Sequence, residues 1–295
     1  MLNQIKMKKT YLVLLILVAI SSFYSCGDDI TNEPMLIVKF KFDRTQARLN
    51  NLGQPSTVAP GNAAQSPVFN TIGAHYMELA PNENTQLGSG TIIYHGAETT
   101  DGGENAIDFA QEKIVAQGEN FLKIPLSQVT AGTYQWMRVS LAYQNYQIRV
   151  RNEGVNYVGT LASFVGFNTY LTSFNIGDNT FPVNGNKSQG YWAFGLNDQP
   201  YATSGQTLAG ATTVPNPIAL TSAVPLGSCI VTGRFPTDLV IDGTETADVV
   251  ITLSLSSNRS FEWHEVGTHD GKYEPAAGEN VVDMGLRGLI PTYVK

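Results

Sequence analysis

The sequence contains few cysteines. Among its 295 residues only Cys26 and Cys229 occur, so at most one disulfide can form and a disulfide-stapled scaffold is excluded. A chain of this length can bury enough apolar surface to fold without such bonds. Cys229 lies in an apolar run, where a single cysteine is usually a small buried hydrophobe. The alternative is a metal-ligating or reactive thiol.

Positive charge is also scarce. The chain has 18 lysines and arginines against 25 aspartates and glutamates, which gives a formal net charge of −7. Three of the lysines lie in residues 1–25, which contain no acidic residue, so the remainder of the chain carries a net charge of about −10. This charge argues against a nucleic-acid partner and against electrostatic binding to anionic lipid.

Signatures of catalysis are missing from the sequence. It contains no Gly-x-Ser-x-Gly elbow, no His-Glu-x-x-His motif, no phosphate-binding glycine loop and no dinucleotide fingerprint. A histidine-dependent enzyme would have to use one of only four histidines, which are His75, His95, His264 and His269. The sequence therefore favours a protein that binds a ligand without catalysis. A hydrolase ranks third, after this interpretation and after a metal-binding module, which is described below.

The N-terminus has the layout of an export signal. A basic stretch at 6–9 precedes an uncharged apolar run at 11–20, and small polar residues then lead to Cys26. This run is too short for a helix that spans a membrane, whereas its length and flanks are typical of a secretory signal. Translation can start at Met1 or at Met7, because the lysines after Met7 supply a basic end by themselves.

The segment around Cys26 resembles a bacterial lipoprotein signal, and the pair Asp28 and Asp29 resembles the surface-export tag of lipoproteins from the Bacteroidota. The resemblance implies that residues 1–25 are removed and that Cys26 becomes the acylated first residue. Residues 26–34 would then form a tether, with the protein anchored in the outer membrane and facing the cell exterior. The alternative is an ordinary cleaved signal that contains a cysteine.

The rest of the chain has the pattern of β-structure. Leu36, Val38 and Phe40 alternate with polar or outward positions, which is the period of a strand with one buried face. Further short apolar segments follow between Gly, Asn, Asp and Pro residues, and only 106–116 comes near a helical pattern. Residues 35–295 are therefore predicted to form an all-β domain, an antiparallel β-sandwich of the jelly-roll or Ig-like kind with about twelve short strands.

Two polar stretches bear on the organisation of this domain. Residues 45–67 are predicted to form a long loop, because their three prolines disfavour regular strand pairing. Residues 151–154 have two interpretations. They either separate two lobes or form a hairpin turn between aromatic strands.

An acidic loop near the end of the chain suggests a metal site. An Asp-Gly step followed by later glutamates is typical of calcium-binding loops, so Asp270, Glu274 and Glu279 are candidate calcium ligands. The alternative is a solvated turn. His264 and His269 belong to the same region and could hold zinc or copper together with a neighbouring carboxylate.

A second candidate metal site lies in the first half. His75 and His95 fall in successive strand-like segments, and a Leu-x-x-Val-x-Ala-Gly-x-Tyr turn at 126–134 precedes a long apolar strand. Over residues 36–143 this order resembles the copper-binding MbnP-like domain, a β-sandwich module. The resemblance implies that His75 and His95 are imidazole ligands of copper. The family's ligand set includes a modified tryptophan, for which Trp136 is the nearest candidate by location.

Aromatic residues offer a third kind of site. Tyr191 and Trp192 follow a polar loop, and Trp136 lies on a strand. In a sandwich such residues mostly fill the core, but on a concave face they can stack on sugar rings or hold a peptide. The sequence thus predicts a lipid-anchored, surface-exposed binding protein for a glycan, a peptide or a partner subunit of the outer membrane. The alternative is a metal-binding module of the MbnP-like kind.

Overall fold

Strands and turns make up almost all of the structure, a computed structural model that describes residues 33–208, 222 and 224–295. The predicted signal lies outside the described residues, as do Cys26, Asp28 and Asp29. From Pro34 to Lys295 the chain forms one compact unit. Within the described residues, no helix is long and apolar enough to cross a membrane.

The described part of the chain contains nineteen strands and three single turns of 3-10 helix. The strands are β1 Met35–Asp43, β2 Asn62–Gln65, β3 Val68–Ala80, β4 Thr91–His95, β5 Glu98–Thr99, β6 Ala106–Asp108, β7 Ile114–Ala116, β8 Asn120–Pro125, β9 Gly132–Asn152, β10 Val155–Phe164, β11 Asn168–Ile176, β12 Asn179–Ser188, β13 Tyr191–Leu196, β14 Ala202–Gln206, β15 Cys229–Ile241, β16 Val249–Ser256, β17 Phe261–His264, β18 Asn280–Asp283 and β19 Arg287–Val294. The helical turns are Phe109–Gln111, Leu126–Gln128 and Pro275–Ala277.

Two large sheets carry the fold. Sheet A has four strands in the order β19-β16-β1-β8. Sheet B has eight, with the path β14-β13-β10-β9-β3-β4, and β15 and β7 pair with β9 and β3 beside that path. All pairs in these sheets are antiparallel except β1 with β16. The long strand β9 connects the two halves of sheet B, since its first half pairs with β15 and its second half with β10.

The main hydrophobic core lies between sheets A and B. Sheet A contributes the alternating residues Leu36, Val38 and Phe40, which are at most 1% exposed, and sheet B contributes Met77 and Val139. The predicted one-sided strand is confirmed, and so is the all-β, sandwich-like fold. Burial of these side chains is the main force that holds the two layers together.

Two small sheets extend the sandwich. One has the order β12-β11-β6-β5 and shares a second core cluster with sheet B, centred on Phe164, Leu171 and Phe174. The other has the order β18-β17-β2, and its Trp263 and Phe261 pack against Tyr146 of β9. The β17–β18 layer therefore lies over one face of the β9 and β10 half of sheet B.

The number and continuity of the strands differ from the prediction of about twelve. The sequence pattern predicts separate strands at 134–143 and 146–150, but both segments and the polar Gln144 and Asn145 between them belong to one strand, β9. These polar residues do not interrupt it, because the Asn70 amide donates to the Asn145 side chain at 2.7 Å and the Leu286 amide donates to Gln144 at 3.3 Å. Strand β2 also lies inside the predicted loop at 45–67.

The stretch at 151–154 forms a hairpin turn. Asn152 pairs with Val155, and Glu153 and Gly154 both have positive φ values, 49° and 79°. Such values favour glycine and suit the tight turn between two twisted strands. The turn lies inside the compact unit that begins at Pro34. The segment 106–116 consists of β6, one helical turn and β7 instead of a helix.

Candidate metal centre

Three ligand-bearing side chains meet at the edge of sheet B. His75 lies on β3 and His95 ends β4, and these antiparallel strands place His95 opposite Tyr76, so the two histidines are close neighbours. Glu98 begins β5, three residues after His95. One ligand atom from each of the three lies within 4.8 Å of the others. No other group of three His, Cys, Asp or Glu residues does so in the part of the chain that the structure describes.

The three ligand atoms converge on one carboxylate oxygen. His75 Nε2 lies 2.9 Å from Glu98 Oε1, and His95 Nε2 lies 3.7 Å from the same atom. Two imidazole nitrogens and one carboxylate oxygen are a donor set that suits zinc and copper ions. Three protein ligands leave coordination positions for water or for an external ligand.

Hydrogen bonds hold two of these side chains in orientation. His95 Nδ1 lies 3.0 Å from the carbonyl oxygen of Gly96. When Nδ1–H donates to this carbonyl, the lone pair of Nε2 is free and faces the centre. The side-chain amide of Asn105 donates to the second oxygen of Glu98 at 2.7 Å. Contacts of this kind fix a ligand's position and tune metal affinity.

The centre is buried on one side and open on the other. The His75 side chain is fully buried, whereas that of His95 is 46% exposed. The pKa of His75 is lowered from 6.5 to about 4, chiefly by burial and next by a positive charge on His95, while Glu98 acts in the opposite direction. The His75 imidazole is therefore neutral at pH 7. In the metal-free protein its Nε2–H donates to Glu98 Oε1, so binding of a metal ion at Nε2 requires this proton to move to Nδ1.

Two acidic side chains of the loop near the end of the chain form ion pairs with cationic side chains of the protein itself. Asp270 lies 3.0 Å from the guanidinium of Arg151 and 3.2 Å from the ammonium of Lys272, and Glu274 lies 3.5 Å from Arg151. Glu279 accepts a hydrogen bond from the backbone of Glu274 at 2.6 Å. In the part of the chain that the structure describes, the carboxylate oxygens of Asp270, Glu274 and Glu279 do not form a group within 4.8 Å of one another.

The other two histidines stay apart from such a group as well. His264 is exposed and its Nδ1 lies 3.3 Å from the Asn62 side chain. His269 is 59% exposed and lies 4.0 Å from Glu265. Neither belongs to a three-residue cluster of ligand atoms among the residues that the structure describes.

The predicted aromatic residues lie in three different places. Tyr191 is 7% exposed and packs with Phe164 and Phe174 in the second core cluster. Trp192, its neighbour on β13, points to the opposite face of the sheet. Trp136 pairs with Ala80, four residues along β3 from Tyr76, and so is separate from both. Cys229 is buried in the main core, as expected of a small hydrophobe.

Sequence reasoning missed Glu98 and its support Asn105. The signal that could have identified Glu98 is its spacing, since a carboxylate three residues after a histidine can reach the same point across a turn. Asn105 carries no such signal. It approaches Glu98 because β5 pairs with β6, where Thr99 lies opposite Ala106.

No model of a known protein family matches the chain, and no match was found among curated proteins or solved structures. The two resemblances described from the sequence, to lipoprotein signals and to the MbnP-like domain, therefore stay predictions.

Proposed function

We propose that this protein binds a transition-metal ion, Cu²⁺ or Zn²⁺, through His75, His95 and Glu98, and that it is a binding protein and not an enzyme. The observation that carries the proposal is the convergence of three ligand atoms within 4.8 Å around a buried imidazole. This imidazole is neutral at pH 7, while the exposed edge of His95 gives an ion access from solvent.

The donor set decides between classes of metal. Calcium and magnesium prefer sites built from oxygen ligands, and this one offers two imidazoles and a single carboxylate. Copper binds such nitrogen donors more tightly than zinc does, so Cu²⁺ is the stronger candidate when both ions are present. A binding role is preferred over hydrolysis because the sequence contains none of the catalytic motifs named above.

We also propose that the protein is anchored by lipid at Cys26 and exported to the outer face of the outer membrane by the tag of Asp28 and Asp29. The support is the sequence alone, in which a basic stretch and an apolar run lead to the cysteine. The acidic remainder of the chain would be repelled by anionic lipid, so attachment would depend on the acyl chains.

Metal titration of the purified protein, residues 26–295, tests the metal proposal. After treatment with EDTA, the wild type should take up one equivalent of Cu²⁺ or Zn²⁺. His95→Ala and Glu98→Gln should bind at least about tenfold more weakly, since the first removes an imidazole ligand and the second replaces a carboxylate with a neutral amide. Both side chains are partly exposed, so these changes leave the core intact. His264→Ala and His269→Ala are matched controls, because they remove histidines outside the centre.

Two results would contradict the proposal. One is a wild type that binds neither ion, as measured by elemental analysis and calorimetry. The other is a His95→Ala variant that binds as tightly as the wild type. If affinity were lost in His264→Ala or His269→Ala instead, the metal site would belong to the loop near the end of the chain.

A further inference from the structure

A second, independent site is an aromatic groove of about 1080 Å³ on the opposite half of sheet B. Its floor is the face of β9, β10 and β13 that carries Tyr157, Trp192 and Phe194, and its facing wall comes from the region around β18, with Tyr273 and Met284. The groove contains none of the three metal ligands. Its volume slightly exceeds the roughly 300 to 1,000 Å³ that is typical of small-molecule sites.

Glycines on neighbouring strands make room for two of these rings. Trp192 lies opposite Gly205 on β14, where a β-carbon would come within 2.8 Å of the indole ring. The end of the Phe194 ring occupies the space above Gly159, where a β-carbon would lie only 2.1 Å away. Any side chain at these glycines would displace the rings. The rings therefore rest on the sheet, and both stay partly exposed to the groove.

Amide side chains lie among the aromatic ones. The groove is also lined by Asn152, Gln199, Gln206 and Asn280. An amide has two donor hydrogens and an acceptor oxygen, which is what a ligand rich in hydroxyl groups requires. Gln206 and Asn280 each use a donor within the protein, to backbone carbonyl oxygens, and each keeps its second donor and at least one lone pair of its oxygen for a ligand. Apolar rings that contact ligand faces and amides that orient its edges form a typical division of labour in a binding site.

The groove offers a ligand little accessible charge. Among its described lining residues only Arg151 and Glu279 are charged. Arg151 is paired with Asp270 and Glu274, and Glu279 accepts a backbone hydrogen bond. An anionic ligand would find Arg151 already occupied, and a cationic one would find Glu279 only 4% exposed, so the groove favours a neutral ligand.

We propose that this groove binds a neutral oligosaccharide, with sugar rings against Trp192 and Tyr157 and hydroxyl groups on the surrounding amides. An extended peptide fits less well, because the floor strands β9, β10 and β13 are paired on both sides. A peptide could add only to the edge strands β14 and β18 and not across the aromatic floor. A polar depression of about 590 Å³ shares Leu196, Gln199 and Pro200 with the groove. The site thus continues across the turn between β13 and β14 and can accept several linked sugars.

The test is calorimetry in EDTA with six-unit chains of neutral sugars, namely maltohexaose, cellohexaose, xylohexaose, mannohexaose and chitohexaose. At least one should bind. Trp192→Ala and Tyr157→Ala should each weaken that binding at least about tenfold, since they remove stacking surface at the centre of the groove. Trp136→Ala is the matched control, as this tryptophan does not line the groove. Glu98→Gln should bind the sugar as the wild type does, which separates this site from the metal centre.

Several outcomes would overturn the proposal. One is a wild type that binds none of the five sugars at millimolar concentration. Another is binding that persists unchanged in both Trp192→Ala and Tyr157→Ala, with circular dichroism showing that each variant is folded. Self-association that disappears in Trp192→Ala would assign the groove to a second copy of the chain. Binding of peptides but of none of the sugars, lost in Trp192→Ala, would also contradict the proposal.

Discussion

The rings of His75 and His95 lie 4.7 Å apart between centroids and meet at an angle of 64°. One ring is fixed within the protein, since the His75 side chain is fully buried, and the other is nearly half exposed. A metal ion arriving from solvent would therefore meet His95 and Glu98 first. The buried imidazole would complete the set of ligands without a change in its own position.

Replacing the residue that orients Glu98 should weaken metal binding without removing any ligand. Asn105 donates a hydrogen bond of 2.7 Å to Glu98. We expect Asn105→Ala to lower Zn²⁺ or Cu²⁺ affinity by about tenfold, because supporting contacts of this kind typically contribute that much. Calorimetric titration provides the measurement. Asn175→Ala removes an exposed amide on β11 that contacts Thr180, and it should leave the affinity unchanged. Equal affinities in the two variants would contradict the prediction.

Stability should depend on pH through Glu112. Burial raises the pKa of its carboxyl from 4.5 to about 8, against a smaller lowering by the backbone amide of Ala74. Below pH 4.5 the group is protonated in both the folded and the unfolded chain. Between pH 4.5 and about 8 only the unfolded chain releases the proton, so the free energy of unfolding falls as pH rises.

The Glu112→Gln variant isolates this effect, since other groups titrate equally in both proteins. Urea unfolding of the wild type and the variant at pH 5 and at pH 8 gives the comparison. The variant should gain a few kcal/mol relative to the wild type at the higher pH, the size expected for a shift of this order. Parallel pH profiles for the two proteins would show that Glu112 does not titrate as predicted.

Removing Arg48 should destabilise the fold strongly. Its guanidinium binds Glu262 and lies 3.4 Å from Asp283, and all three side chains are at most 11% exposed. Arg48→Met keeps most of the apolar stem but removes the guanidinium that lies beside two buried carboxylates. We expect a loss of about 3 to 5 kcal/mol in the free energy of unfolding, measured with urea.

The exposed pair of Lys41 and Asp43 provides the control for Arg48→Met. Lys41 Nζ lies 2.7 Å from Asp43 Oδ2, yet the lysine side chain is half exposed. Lys41→Met should cost less than about 1 kcal/mol, because solvent screens such pairs. Similar losses in the two variants would mean that burial does not set the value of the Arg48 interactions.

Cys26→Ala should release the protein from the membrane. A lipoprotein carries several acyl chains on its first cysteine, and stable anchoring requires more than one chain. Fractionation of cells that express the full chain provides the measurement, with Cys229→Ala as the matched control. If Cys26→Ala still sediments with outer membrane after a high-salt wash, lipid at this cysteine does not anchor the protein.

Changing the acidic pair should affect exposure but not attachment. Asp28→Ala together with Asp29→Ala should leave the protein in the outer-membrane fraction, because Cys26 is retained. Protease added to intact cells should then reach less of it than of the wild type. Unchanged accessibility would show that the two aspartates do not act as an export tag.

The strands that the sequence predicted are those with one face in the core, such as β1 with Leu36, Val38 and Phe40. Two that it did not predict, β12 and β19, contain Pro182 and Pro291. Both lie at the edge of their sheets, where proline costs no hydrogen bond of the ladder. Whether a strand is an edge depends on the whole topology, which a local pattern does not contain.

The site shows the same division between local and long-range information. Its two histidines could be predicted as ligands, because they occupy successive strands and the chain contains only four histidines. Glu98 carries a weaker signal, its spacing of three residues from His95, and the pairing of β5 with β6 is what sets its position. The aromatic groove depended even more on context. Trp192 and Tyr191 are adjacent in sequence but face opposite sides of β13, and only one of them lines the groove.

The parallel pairing of β1 with β16 has a consequence for the order of folding. β1 lies inside sheet A, between β8, which follows it within the first half of the chain, and β16, which comes near the end. Until residues 249–256 have been synthesised, one edge of an apolar strand has no partner. Contacts between such distant segments slow folding, and an open edge can pair with another chain. Truncated or incompletely made chains should therefore aggregate through β1.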